Sequence, residues 1–220
     1  LADVLRDKGR KSNMSKVFVS MGMSLDGCVE GPNASVQNMG GDGWGELHGW
    51  VFSQRVFRQR LKLGDGGETG ADNRFLEQIF DRTGVSIMGK RMFELGEVSW
   101  PEEAPFHTPV IVVTHQARAP WVRPGGTTFH FANDGIEDAL RRAREVSGNK
   151  DVRVSGGANL VVQYLNAGLV DELVLSVAPI FLGGKRLFDG LDPKAVSLEI
   201  IDVLASPTVT HLRYAVKKTR

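Results

Sequence analysis

Two strand-to-helix junctions carry the residues best suited to hold a phosphate. At one, Val152-Arg153-Val154-Ser155-Gly156-Gly157-Ala158-Asn159-Leu160, a short β-branched run meets a double glycine and passes into a helical pattern. Glycines let the backbone approach a ligand with no Cβ in the way, and the next helix offers unpaired N–H groups at the positive end of its dipole. Leu160, Val161, Tyr164 and Leu165 fall on one apolar face, and Gly168 marks a stop. At the other junction, Val85-Ser86-Ile87-Met88 reads as a buried strand and Gly89-Lys90-Arg91 opens the pattern Met92-Phe93-Glu94-Leu95. Two adjacent cations oppose the dipole at a helix N-terminus. A bound anion accounts for them: lysine supplies a point charge, arginine a bidentate fork, and a phosphate monoester is a fitting guest. Alone, each junction is also compatible with a tight turn and a solvated Lys-Arg pair; together they favour the phosphate reading.

Common nucleotide signatures are missing. No Gly-x-Gly-x-x-Gly follows a strand, and no Gly-x4-Gly-Lys-Ser/Thr loop occurs. The five histidines, His48, His107, His115, His130 and His211, show no ligand spacing, so no metal is expected. The chain has neither the His-x-Glu nor the Pro-Cys-x-x-Cys of a zinc-dependent nucleobase deaminase, so that activity is not expected. Its single cysteine, Cys28, cannot form an intramolecular disulfide, which favours a reducing cytoplasm. The net charge of +1 gives no long-range field for nucleic acid or membrane, and no apolar run approaches the ~20 residues of a membrane span. Arg55, Arg58, Arg60 and Lys62 read as a solvated helix face, with a substrate phosphate as the alternative. In the glycine-rich loop 31–49, Trp44 between Gly43 and Gly45 is the aromatic candidate for the substrate side, while Trp50 and Phe52 read as core.

Several segments, in order, resemble the dihydrofolate reductase-like superfamily. They are Val17-Phe18-Val19-Ser20-Met21-Gly22-Met23-Ser24-Leu25-Asp26-Gly27, Ile87-Met88-Gly89-Lys90-Arg91-Met92-Phe93-Glu94, Gly156-Gly157-Ala158-Asn159-Leu160, Asp171-Glu172-Leu173 and Pro179-Ile180-Phe181-Leu182-Gly183-Gly184. More closely, they are similar to the C-terminal reductase domain of the bifunctional riboflavin-biosynthesis deaminase-reductase, over about residues 16–217. The resemblance implies an NADPH-dependent reductase acting on a small heterocyclic or sugar-derived molecule. The riboflavin-pathway uracil derivative leads the substrates; a pterin or dihydrofolate, or nucleotide binding without catalysis, are the alternatives. It also implies that Met21, Gly89, Lys90, Arg91, Thr114, His115 and the run Ser155, Gly156, Gly157, Ala158, Asn159 and Leu160 hold the cofactor. Asp26 is then the candidate for relaying a proton or orienting substrate, and the reductase pairs with itself as a homodimer. That family usually has a glutamate where this chain has Ser155. It also carries a Trp-Ile-Thr segment followed by phosphate-holding arginines, which residues 31–61 lack.

Periodicity supplies the elements that must position these residues. Strands are predicted near 16–23, 85–88, 109–114, 127–132, 152–155, 172–178, 197–204 and 208–217, and helices near 46–62, 72–82, 90–95, 135–147 and 158–167. Their alternation predicts an α/β fold, a mostly parallel mixed sheet flanked by helices, with the last two strands forming an antiparallel hairpin. Asp134 with Glu137 reads as a capping box, and Gly148 and Gly168 as helix stops. With 220 residues and 41% hydrophobic content the chain fits one domain over 14–220, residues 1–13 being set apart as an extension or expression remnant. The apolar run Leu173, Leu175, Val177 into Pro179-Ile180-Phe181-Leu182 is expected at an exposed sheet edge, where a two-fold partner would cover it, the alternative being that 172–178 is a central strand.

Overall fold

The computed structural model describes residues 15–218; the extension expected at 1–13 lies outside them. In chain order the elements are β1 (Val17–Ser24), β2 (Cys28–Glu30), α1 (Trp44–Ser53), α2 (Arg55–Arg60), α3 (Ala71–Arg82), β3 (Thr83–Gly89), α4 (Lys90–Glu97), β4 (Val110–Val113), β5 (Trp121–Val122), β6 (Thr128–Ala132), α5 (Gly135–Val146), β7 (Asp151–Gly156), α6 (Ala158–Asn166), β8 (Glu172–Ala178), β9 (Lys185–Arg186), β10 (Val196–Ala205) and β11 (Thr210–Lys218). Nine strands form one sheet in the order β10-β11-β8-β1-β7-β3-β4-β6-β5. The six from β8 to β6 run parallel, while β5 at one edge and β11 with β10 at the other are antiparallel. This is the mixed α/β architecture with a C-terminal hairpin that the alternation predicts.

Central strands buried on both faces explain the β-branched runs. On one face Val19, Ile87, Val152, Val154 and Leu175 pack with Leu140 of α5 and Val161, Tyr164 and Leu165 of α6. On the other, Phe18 and Val174 meet Trp50, Phe75 and Ile79, and Met88, Val110 and Val112 meet Phe93 of α4. Each fully buried aliphatic or aromatic side chain contributes about 1.5–3 kcal/mol relative to exposure. The second face changes character along the strands. Beyond Phe18 come Ser20 and Gly22, beyond Val174 comes Ser176, and Arg153 and Ser155 stand opposite Val152 and Val154. Small and polar side chains there leave room between sheet and helices.

Four expectations are corrected. The helix expected over 46–62 is two helices, because Gln54 is extended (φ −80°, ψ 135°) and its segment pairs with Glu68. The backbone N–H of Arg55 donates to the Glu68 carbonyl at 2.9 Å, and the buried Gln54 amide donates to the Trp50 carbonyl at 2.9 Å. The capping box at Asp134 does not form: that residue sits at φ −103°, ψ 28° and makes no side-chain cap bond. The strand at 172–178 is interior, paired to β1 on one side and β11 on the other, so Leu173 and Leu175 are core. The exposed apolar edge is instead β10, where Leu198, Ile200, Ile201 and Val203 face outward. Finally, Phe52, read as core, is exposed, whereas Trp50 is buried. Gly148 and Gly168 do terminate helices with φ of 63° and 64°. Among the described residues no helix is long and apolar enough to cross a membrane.

Candidate active site

A cleft of about 1010 Å³ opens between the polar part of the second sheet face and helices α1 to α4. That volume suits an extended organic ligand. Adjacent strands β7, β3 and β4 deliver their carboxyl ends to it, which is where open α/β sheets bind ligands. Gly89 caps α4 and Gly157 caps α6, and neither cap carries a side-chain hydrogen bond. A Cβ on Gly89 would lie 3.8 Å from the Gly157 nitrogen, so the two helix N-termini are immediate neighbours. Their first-turn N–H groups and dipoles add at one place in the cleft.

The expected cofactor residues sort by this geometry. Met21, Gly89, Lys90, Arg91, Thr114, His115, Ser155, Gly157, Ala158, Asn159 and Leu160 all line the cleft. Gly157 has φ −76°, and a Cβ there would meet no atom within 4 Å, so its open side is ligand space. Gly156 does not line the cleft. Its φ is 119°, and a Cβ would press on the sulfurs of Met21 and Met92 at 3.1 and 3.3 Å; it is a packing glycine that seats the turn. Lys90 and Arg91 both have carboxylate partners: Lys90 Nζ lies 3.0 Å from Glu94, and Arg91 forms a two-pronged pair with Glu30. Their adjacency therefore does not by itself require an anion. Thr114 is buried, its Oγ1 accepting from the Gln116 N–H at 3.1 Å.

Asp26 is not placed to relay a proton. It lies outside the cleft lining, and both oxygens are occupied: Ser24 donates its hydroxyl, and the backbone N–H groups of Leu182 and Gly183 donate at 3.0 and 2.8 Å. The Ser24 hydroxyl first, then the two amides, hold its carboxyl well below the usual range. Asp26 is an ionised clamp that fastens the 181–184 segment to the end of β1. Trp44 lines the cleft at the start of α1, supported by Gly40, whose Cβ would land inside the indole ring.

Residue patterns did not single out His48. It lies one turn after Trp44, its ring tilted 32° against the indole at 4.4 Å, and faces Gly22 of β1, where a Cβ would stand 3.4 Å from its Nε2. Its Nδ1 is 3.2 Å from the Trp44 carbonyl, a hydrogen bond only if Nδ1 carries the proton. In that inferred tautomer Nε2 presents a lone pair. Burial pushes the imidazole below its ordinary pKa and keeps it neutral near pH 7. The i,i+4 spacing of Trp44 and His48 was the available signal. Arg60, assigned by pattern to a solvated face, also lines the cleft, its guanidinium 4.0 Å above the Phe80 ring.

A sheet of this order, with a ligand cleft at paired glycine-capped helix ends, is the architecture of dihydrofolate reductase-like proteins. The family model for the RibD C-terminal domain matches residues 15–212, and the chain belongs to that family. Among solved structures, a protein assigned to riboflavin biosynthesis from Shewanella sp. PV-4 superposes with a TM-score of 0.63 at 19% identity, covering 92% of this chain and 99% of that one. Dihydrofolate reductase from Enterococcus faecalis, complexed with NADP(H) and RAB-propyl, superposes at 0.53 with 11% identity, covering 93% and 98%. In sequence, the uncharacterized protein YyaP of Bacillus subtilis (strain 168) is 44% identical over 59 residues, which is 26% of this chain and 31% of that protein's length. The match thus spans about a third of that relative.

Proposed function

We propose that the protein is an NADPH-dependent reductase that delivers hydride to a small heterocyclic or sugar-derived imine or carbonyl, with 5-amino-6-(5-phosphoribosylamino)uracil the first substrate to test. The observation that carries this reading is the pair of glycine-capped helix N-termini side by side in one cleft. Family membership and the NADP(H) complex of the Enterococcus faecalis neighbour support it. The open face of Gly157 and the uncapped first turns of α4 and α6 fit a pyrophosphate, and Thr114 and His115 at the end of β4 fit the adenine ribose side. Bound there, the cofactor supplies the hydride. The chain supplies orientation, an apolar enclosure and a proton route. His48 is the side chain placed to organise the proton route, because its Nε2 lone pair lies over Gly22 within the cleft and can accept a hydrogen bond from the proton-carrying water or substrate, while Asp26 is spent on the backbone.

Calorimetry with NADPH, then loss of reduced-nicotinamide absorbance with the uracil derivative and with dihydrofolate, tests the proposal. Oxidation with dihydrofolate alone would make it a dihydrofolate reductase; NADPH binding with no turnover of any candidate would leave a nucleotide-binding module. Lys90→Ala should weaken NADPH about tenfold and NADH hardly at all, since one exposed charge-assisted bond contributes about 1.5 kcal/mol. Lys90 is the cation to change because its pair with Glu94 is a single exposed i,i+4 contact, whereas Arg91 is held by both oxygens of the less exposed Glu30. Equal loss for both cofactors would remove it from the 2′-phosphate.

The homodimer is proposed on β10 rather than β8. Ile200 is 67% exposed on β10, which has no second neighbour among the described residues, and is flanked by Leu198 and Val203. A second copy pairing there would bury the patch and end the open ladder. Sedimentation at micromolar concentration should give twice the 24.1 kDa of one chain. A single-chain mass would reject the dimer.

A further inference from the structure

Arg153 is an anomaly in a central strand. It projects from β7 into the cleft, and its one hydrogen bond is a long one, Nη2 to the Ser20 carbonyl at 3.4 Å. Its Nε has no partner, and no carboxylate of the described residues pairs with it. The hydroxyl of Ser155, two residues on and on the same face, is buried and equally without a partner. The charge that acts on it is another cation's, that of Arg60, whose own Nη1 reaches the carbonyls of Pro105 and Phe106 at 3.4 and 3.2 Å. Burial, and then the charge of Arg60, push the Arg153 guanidinium down to about 10. Asp81 offsets part of the charge on Arg60 but does not reach Arg153. A buried donor without a partner is costly, more so when charged, so a half-satisfied guanidinium, an idle hydroxyl and a second cation lining the same cleft call for a ligand.

We infer that Arg153, Arg60 and Ser155 form an anion-binding subsite that takes a carboxylate or phosphate group on the substrate, the rest of which is a flat apolar body. The body is set by what surrounds the cations: Phe57 stacks on Phe80 beneath Arg60, Arg60 reaches the Phe106 carbonyl, and all of these residues line the cleft. The subsite is distinct from the helix N-termini. Arg153 lies three residues before the end of β7 at Gly156, about 10 Å deeper along the strand. The neighbouring β3 residue Ser86 is at its side, in register with it. Which half of the cleft belongs to substrate rests on the reductase reading.

The test uses the full chain without NADPH, titrated with benzoate, with inorganic phosphate and with benzyl alcohol, following the Nε–H resonances of the arginine side chains. Benzoate should bind best, shift the Arg153 Nε–H signal and compete with nothing at Gly157. Arg153→Met should bind benzoate about 10- to 100-fold more weakly, the range of a charge-assisted pair, while Arg153→Lys keeps part of the affinity. Because the methionine removes an unpaired cation, the variant should melt no lower than the parent, so weak binding would not reflect unfolding. NADPH affinity of Arg153→Met should be unchanged. Equal benzoate affinity in parent and variant, tighter binding of benzyl alcohol or of phosphate than of benzoate, or loss of NADPH with Arg153→Met would each overturn the inference. Failure of the parent to bind NADPH would strike the reductase reading alone, since the benzoate arm is read without cofactor.

Discussion

Glu172→Gln should lower stability by about 3–5 kcal/mol, the range seen when one partner of a buried ion pair is removed. Its side chain is 6% exposed at the start of β8 and receives Lys16 and Arg82, each at 2.8 Å, with Arg213 at 3.5 Å. Arg82 in turn bonds Asp151 and lies 4.1 Å over Phe18. Losing the carboxylate leaves Arg82 with Asp151 alone and Arg213 with no carboxylate among the described residues, and for a chain of this size the melting midpoint should fall roughly 10 °C. NADPH affinity should not change, because the network sits at the amino ends of β7 and β8, while the glycine-capped helix ends lie at the carboxyl ends of β3 and β7. Burial alone would raise the Glu172 pKa, but hydrogen bonds from Arg82 and Lys16 and their charges override it and hold it at about 2, below the ordinary 4.5. The folded value being the lower one, the contribution of about 3 kcal/mol is fully present above pH 4.5 and is lost as pH falls towards 2. Parent and variant should therefore converge in stability across that window. A gap that persists unchanged at pH 2 would remove the ion pair as its cause.

Gly157→Val should weaken NADPH by about 1–3 kcal/mol, or about 5- to 150-fold, without unfolding the chain. The native φ of −76° is open to valine and the Cβ meets no protein atom, so the strain appears only when a ligand occupies that space. Gly156→Val should behave differently. Its φ of 119° and the sulfurs of Met21 and Met92 make that change a folding defect. Calorimetry beside thermal melts separates the two, and normal NADPH affinity in Gly157→Val would remove the phosphate cradle.

Most of the sheet was legible because its central strands are short apolar runs bounded by glycine, and α3 to α6 because their apolar spacing is helical. Two-residue strands such as β5 and β9 leave no periodicity to read. The break at Gln54 was hidden because the apolar pattern runs through it; the pairing with Glu68 that causes it is 14 residues away. The site divides similarly. Backbone features, the glycines at 89 and 157, were readable, since few residues fit those roles. Side-chain partners across the fold were not: Glu94 is one helical turn from Lys90, but Glu30 reaches Arg91 from 61 residues away. Arg153 did carry a signal, a cation alternating with valines in a strand covered on both faces.

Insertion of β7 between β1 and β3 has a consequence for how the chain is made. Lys16 and Asp151, joined at that seam, are separated by 135 residues. Ribosomes add about 5–20 residues per second, so β1 waits roughly 7–27 s before its neighbour exists. Until then Val17, Phe18 and Val19, fully buried in the finished protein, are an open template for other chains. Yield should accordingly be limited by capture of the N-terminal segment while it waits, and abundant holding chaperones should recover it.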